Sequence, residues 1–166
     1  RFDFDAAVIF SDILMLPYGL DQKVEFRKNF GPILGDVNID EMIKLDELDF
    51  VKKVQPVYKA IRKVSTNNLM KNKNTIGFVG APWTLLVYMI NQQSPKNSLK
   101  EDFFKDYDLI KNILLVLEKF LKVHIKNQIN NGANVIQIFD SWAGLLEKKD
   151  LYNYIYSPTL NLVNYV

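Results

Sequence analysis

The 166-residue chain contains no cysteine. Neither a disulfide framework nor a thiolate metal site can form within it, and a reducing compartment is permitted. Charge of one sign is nearly balanced: 21 Lys and Arg against 19 Asp and Glu leave +2. That is no global field for drawing in nucleic acid or a membrane surface, so neither partner is expected. No apolar run approaches the roughly 20 residues that span a bilayer. A Gly-rich phosphate loop, an HExxH helix, a Ser-His-Asp set and paired-histidine metal spacing are missing as well. The single histidine, His124, falls on the apolar face of a long helical repeat, where a satisfied core or boundary histidine is expected. The start, Arg1-Phe2-Asp3-Phe4, has no Met and no signal-peptide pattern, and Val166 cuts an apolar-periodic segment, so the chain is expected to be a piece of a longer protein. What is present is a globular composition, 48% hydrophobic, of one domain's length.

The chain is organised around Asp5 to Leu14, a short apolar run with β-branched Val8, Ile9 and Ile13 that reads as a strand covered on both faces. Alternation puts Val8, Phe10 and Asp12 on one side of it, so a carboxylate ends an apolar row. Leu16 to Asp36 carries Pro17, Gly19, Gly31, Pro32 and Gly35 around Val24-Glu25-Phe26, the pattern of a long loop at about 16–36 holding a small hairpin. Charged and apolar residues interleave from Ile39 to Val51, and Val57, Ala60, Ile61 and Val64 recur at helical spacing from Gln55 to Met70, so a short helix and then an amphipathic one are expected. A second strand spans Thr75 to Val79, and Pro82 opens a helix through Trp83, Tyr88 and Ile90. Asp108 to Asn131 is the strongest helical signal, ended by Gly132. A third strand, Asn134 to Phe139, precedes Asp140-Ser141-Trp142-Ala143-Gly144, and Lys148 to Val166 is helical in period but interrupted by Pro158.

Strands separated by helices indicate an α/β fold with a parallel sheet, open or closed into a (β/α)8 TIM barrel. Three strands cannot close a barrel of about 250 residues, so residues 1–166 are expected to form a single incomplete TIM-barrel domain, an arc of one. In either sheet type, ligands bind beyond the carboxyl ends of the strands. Asp12, then Gly80-Ala81-Pro82-Trp83 with Tyr88, then Asp140 and Ser141 occupy those ends, a set that suggests an apolar cleft with a few polar anchors. Each anchor has a plainer alternative: Asp12 could cap the next segment or pair with a cation, Ser141 could cap a helix, and Tyr88 and Trp83 could be packing.

At these segments the chain resembles the uroporphyrinogen decarboxylase family. The matching residues are Asp5-Ala-Ala-Val-Ile-Phe-Ser-Asp-Ile-Leu14, Ile76-Gly-Phe-Val-Gly-Ala-Pro-Trp-Thr-Leu85 with Tyr88 and Met89, and Gln137-Ile-Phe-Asp-Ser-Trp-Ala-Gly144; Gly31-Pro32 fits too. The resemblance implies a (β/α)8 barrel, a cytoplasmic homodimer, and a cofactor-free, metal-free conversion of the four acetate side chains of uroporphyrinogen III to methyls, giving coproporphyrinogen III. By the same resemblance Asp12 bonds the pyrrole N–H groups and stabilises a cationic intermediate, Tyr88 and Ser141 bind substrate carboxylates, and Phe10, Phe78 and Phe139 line the cleft under the macrocycle. The family's N-terminal arginines and C-terminal histidine have no counterpart here, and its glycine-rich turn after the Tyr-Met pair is replaced by Asn91-Gln92-Gln93-Ser94. Two other readings share the fold: a corrinoid-linked, zinc-dependent methyltransferase, which the lack of cysteine weakens, and a non-catalytic tetrapyrrole-binding relative, which would be expected to lose Asp12.

Overall fold

The computed structural model describes residues 4–95 and 98–166. In chain order its elements are strand β1 (Ala6–Val8), helix α1 (Met15–Gly19), strands β2 (Val24–Arg27) and β3 (Gly31–Leu34), and helices α2 (Ile39–Lys44) and α3 (Glu47–Ser65). Strand β4 (Asn74–Gly80), helices α4 (Pro82–Asn91) and α5 (Tyr107–Asn130), strand β5 (Val135–Phe139) and helix α6 (Ser157–Val163) complete it. β1, β4 and β5 lie side by side in that order, all parallel, with Val8 opposite Ile76, Ile76 opposite Val135 and Gly80 opposite Phe139. Parallel neighbours joined through helices form an arc of a (β/α)8 barrel.

The helices start and stop where local chemistry directs. Asn38, Asp46 and Asp106 accept the backbone N–H groups of Glu41, Leu48 and Leu109, satisfying donors that the first turns of α2, α3 and α5 leave free. Pro82 sits in the first turn of α4, where its missing N–H costs nothing. Gly132 ends α5 at φ +108°, and a Cβ there would lie 2.2 Å from Ser65 Oγ. Phe50, Phe120, Leu117, Leu121 and Trp83 are fully buried where α3, α4 and α5 meet. His124 joins them, its Nδ1 2.9 Å from the Tyr58 hydroxyl.

Four expectations are corrected. The first strand is three residues long and ends at Val8, not near Asp12. The Ile9 N–H makes the last rung to the Ile76 carbonyl, after which Phe78 finds other partners and the chain turns away. Second, residues 16–36 are not a bare loop. α1 buries Leu16 and packs Gly19 so tightly that a Cβ would meet the Phe50 ring at 2.5 Å; β2 and β3 form the expected hairpin, turned by Asn29 at φ +69°. Third, the sheet is covered on one face only. Thr75 and Val79 face the helices and are buried, whereas Val8 is 55% and Val135 46% exposed, because a barrel interior is filled by side chains from all its strands. Finally, Pro158 does not break the last helical segment: a π-helical stretch, Tyr152–Tyr156, widens the backbone just before it, and Pro158 falls in the first turn of α6.

The Asn91-to-Ser94 turn takes the shape a glycine would allow. Gln92 adopts φ +62°, a conformation that costs a non-glycine residue about 1–2 kcal/mol. Three hydrogen bonds offset it: the Gln92 N–H donates to the Tyr88 carbonyl, its carbonyl accepts from the Leu34 N–H at 2.7 Å, and its Nε2 donates to Asp36 at 2.7 Å. The hairpin is thereby tied to the end of α4.

Candidate active site

Beyond the carboxyl ends of β1, β4 and β5 lies a cleft of about 460 Å³ bordered by Phe10, Asp12, Phe78, Tyr88, Phe139 and Ser141, together with Ile13, Leu14 and Pro32. All six residues that the sequence singles out for a site share this one space. Asp12 is the charged member of the lining. Pro32 comes from the hairpin, which stands as a side wall. Gln22 helps fix that wall, donating from Nε2 to the carbonyls of Gly35 at 2.8 Å and Met89 at 3.1 Å.

The floor is aromatic. Phe78 on β4 is buried between Phe10 and Phe139, with ring centroids 5.1 Å and 5.5 Å away, so one phenyl ring from each strand or its extension forms a row across the sheet. Phe10 is 74% exposed. The row presents apolar area to whatever occupies the cleft, at separations where tilted rings attract one another.

The polar anchors differ in how they are held. Asp12 is half-buried, and its Oδ1 accepts the Leu14 N–H at 2.8 Å while its carbonyl accepts the Met15 N–H at 3.0 Å. The capping alternative is therefore realised in part: Asp12 begins the turn into α1. The ion-pair alternative is not, since among the described residues no lysine or arginine pairs with it and Oδ2 accepts no hydrogen bond. Tyr88, half-buried on α4, stands edge-on to Trp142 at 6.2 Å between centroids, and its hydroxyl makes no hydrogen bond among the described residues. Ser141 is exposed and caps nothing; the short 3-10 turn Ala143–Leu145 that follows it has no side-chain cap.

Thr84 is the residue that sequence reasoning missed. Its hydroxyl donates to Asp140 Oδ1 at 2.6 Å and accepts the Trp142 N–H at 3.1 Å. Trp83 Nε1 donates to the Trp142 carbonyl at 2.8 Å, so Trp83 does more than pack. The first turn of α4 grips both sides of Ser141 and fixes its position in the cleft. Burial pushes the Asp140 carboxyl above the usual carboxylate range, and the Thr84 hydrogen bonds pull it part of the way back. A signal was available: Thr84 and Tyr88 are the polar side chains of an otherwise apolar run from Ala81 to Ile90, and a buried hydroxyl needs a partner. Among the described residues no group of three or more His, Asp or Glu side chains is arranged to hold a metal ion.

Adjacent parallel strands delivering their carboxyl ends to one cleft, with helices packed outside, define a barrel segment of the (β/α)8 class with part of its ligand-binding end formed. A methyltransferase from Methanosarcina mazei has the same arrangement, with a TM-score of 0.64 over 98% of this chain and 49% of that one; at 15% identity the likeness is one of fold. The family model described as uroporphyrinogen decarboxylase matches residues 1–166, and the chain belongs to that family. Uroporphyrinogen decarboxylases of Rickettsia bellii and Orientia tsutsugamushi are 38% identical over 165 residues and 41% identical over 167, each alignment covering 98% of this chain and 48% of the relative. The Campylobacter jejuni enzyme is 38% identical over 168 residues, 99% of this chain and 49% of its own. The chain spans about half the length of the curated relatives it matches.

Proposed function

We propose that the complete protein decarboxylates the four acetate side chains of uroporphyrinogen III, giving coproporphyrinogen III, and that residues 1–166 contribute one incomplete barrel domain carrying part of its active site. The observation that supports this reading is the cleft itself: one carboxylate, two hydroxyls that make no hydrogen bond among the described residues, and a row of three phenyl rings around about 460 Å³. The phenyl row suits a macrocycle with apolar faces. The hydroxyls of Tyr88 and Ser141 donate to carboxylates at its rim. Asp12 receives the pyrrole N–H groups on Oδ2, while Oδ1 stays committed to Leu14.

Loss of carbon dioxide from a pyrrole acetate needs an electron sink. Protonating the ring makes it a cation; the electron pair of the breaking C–C bond then flows into the ring, and the methylene left behind takes up a proton as the ring gives one up. A fixed anion beside that cation lowers the barrier without a cofactor, and the apolar wall around Asp12 strengthens its field. A homodimer in the cytoplasm is part of the same proposal. Among the described residues, no helix is long and apolar enough to cross a membrane.

The test is to incubate the full-length protein with uroporphyrinogen and separate the oxidised products by number of carboxyl groups. Stepwise appearance of the hepta- to tetracarboxylated porphyrins is expected from the full-length protein, and none from residues 1–166 alone. A full-length protein that binds the substrate and leaves all eight carboxyls in place would overturn the reading in favour of a tetrapyrrole-binding relative.

A further inference from the structure

Gln128 lies on α5, on the side of the sheet away from the cleft, and is fully buried. Its Oε1 accepts the Phe78 N–H at 3.0 Å and its Nε2 donates to the Phe78 carbonyl at 3.1 Å. A helix side chain thus satisfies both main-chain groups of one residue in the middle strand. Those two groups would ordinarily be the next rung of the β1·β4 ladder, which pairs Val8 with Ile76 and ends with the Ile9 N–H on the Ile76 carbonyl. In place of a further strand bond, the Ser11 hydroxyl donates to the Phe78 carbonyl at 3.5 Å.

The neighbouring residue makes room for this. A Cβ on Gly77 would lie 2.3 Å from Gln128 Oε1 and 2.8 Å from Ile136 Cδ1. No other residue type admits the amide at that point. The consequence is a fork: β1 leaves the sheet after Ile9, and the freed chain from Phe10 to Leu14 turns so that Phe10 meets the Phe78 ring and Asp12 reaches the cleft. Without another partner for Phe78, the cheapest way to satisfy its buried N–H and carbonyl is to extend the ladder by one rung, drawing Phe10 and its neighbours back onto β4.

The geometry points to Gln128 as a positioning residue of the active site: it stands in for β1 on Phe78 and so holds open the strand fork that delivers Asp12 and Phe10 to the cleft. The kinetic part of this inference rests on the decarboxylase reading; the structural part does not.

Both parts are tested in the full-length protein. Gln128→Met, similar in volume but without the amide, is expected to slow exchange of the Ser11 amide, the donor that the next rung to the Phe78 carbonyl would use, while the Phe78 amide stays protected by its new strand partner. Turnover at saturating uroporphyrinogen should fall about tenfold and KM should rise, because Asp12 and Phe10 are displaced together. Gln128→Glu supplies a diagnostic that packing alone cannot: a protonated carboxyl offers one donor and one acceptor and reproduces both bonds, whereas the carboxylate has no donor. Its turnover relative to the parent should therefore rise as pH falls from about 9 to about 6, the range in which a buried Glu takes up its proton. Parental turnover and parental exchange at Ser11 in Gln128→Met, with only a lower melting temperature, would reduce Gln128 to packing. If that variant does not fold, a Gln128→Glu ratio that stays flat with pH overturns the proposal equally. If the parent itself fails to decarboxylate, the decarboxylase reading falls and the exchange measurement alone decides the role of Gln128.

Discussion

The two faces of the three-stranded sheet carry side chains of similar type in opposite circumstances. On the helix side Thr75 and Val79 are buried, Gly77 is pressed against Gln128, and Phe120 and Phe50 pack at 4.9 Å beneath. On the cleft side Val8, Phe10 and Phe139 remain open. The closed face also controls the open one. Phe78 is held by Gln128, the Ser141 loop by Thr84 and Trp83, and Tyr88 by the helix on which it sits. Asp12 differs, being fixed by its own turn. A cleft built this way leaves Asp12 Oδ2 and the Tyr88 and Ser141 hydroxyls without hydrogen-bond partners among the described residues while their backbones are anchored elsewhere, which is the condition for binding a polar ligand without first breaking internal bonds.

The contrast can be broken most severely at Phe120. In the full-length protein Phe120→Ala should cost about 3–5 kcal/mol in denaturant-induced unfolding, because the site is fully buried and cannot collapse. Phe10→Ala should cost under about 1 kcal/mol, its effect falling on substrate affinity instead. Equal losses at the two positions would mean that the inward face is packed as tightly as the outward one.

His124 sharpens the same point through pH. Burial among Phe50, Tyr58 and the α5 face holds its pKa down to about 4, below the ordinary value of 6.5. The folded protein binds this proton less readily than the unfolded chain, so the contribution is intact above about pH 6.5 and lost as pH falls towards 4, about 3 kcal/mol in all. Urea titrations across that window should show the slope, and His124→Phe should flatten it.

A smaller effect is expected at Thr84. Thr84→Val removes the donor to Asp140 and the acceptor of the Trp142 N–H, at a cost of about 1–3 kcal/mol, and Thr84→Ser should recover most of it. Because burial raises the Asp140 pKa, the folded state favours the protonated carboxyl. The penalty should grow as pH rises through about 4 and above, and shrink in acid. Melting curves of the pair at two pH values measure it.

The sequence carried the arrangement of elements well wherever periodicity was strong. α5, α4, β4 and β5 fall within about a residue of their expected bounds, since long apolar repeats and a Pro or Gly stop leave little choice. Apolar content persists past Ile9, so local pattern reads a longer β1 than the pairing makes; what ends it is an amide from a helix over 100 residues away, invisible to any such pattern. α1 was hidden in a Gly- and Pro-containing stretch whose helix depends on burying Leu16 against α3, an instance of tertiary contact overriding propensity. Asp12, Tyr88 and Ser141 could be placed beside one another because strand ends in parallel sheets converge, and the three phenylalanines came from the family resemblance. Thr84 and Gln128 were not, because their roles come from what they touch, not from where they stand in a motif.

If Asp12 serves the ligand through Oδ2 while Oδ1 only starts the turn into α1, Asp12→Asn in the full-length protein separates the two roles. The amide oxygen can still accept the Leu14 N–H, and no paired cation is stranded among the described residues, so the melting temperature should stay near the parent's. The single-turnover rate, measured on the same sample, should fall by about a hundredfold, on the order of 3 kcal/mol for one preorganised charge. A variant that melts normally and decarboxylates within about twofold of the parent rate would contradict the claim, as would one that keeps its rate per folded molecule while losing several degrees of melting temperature.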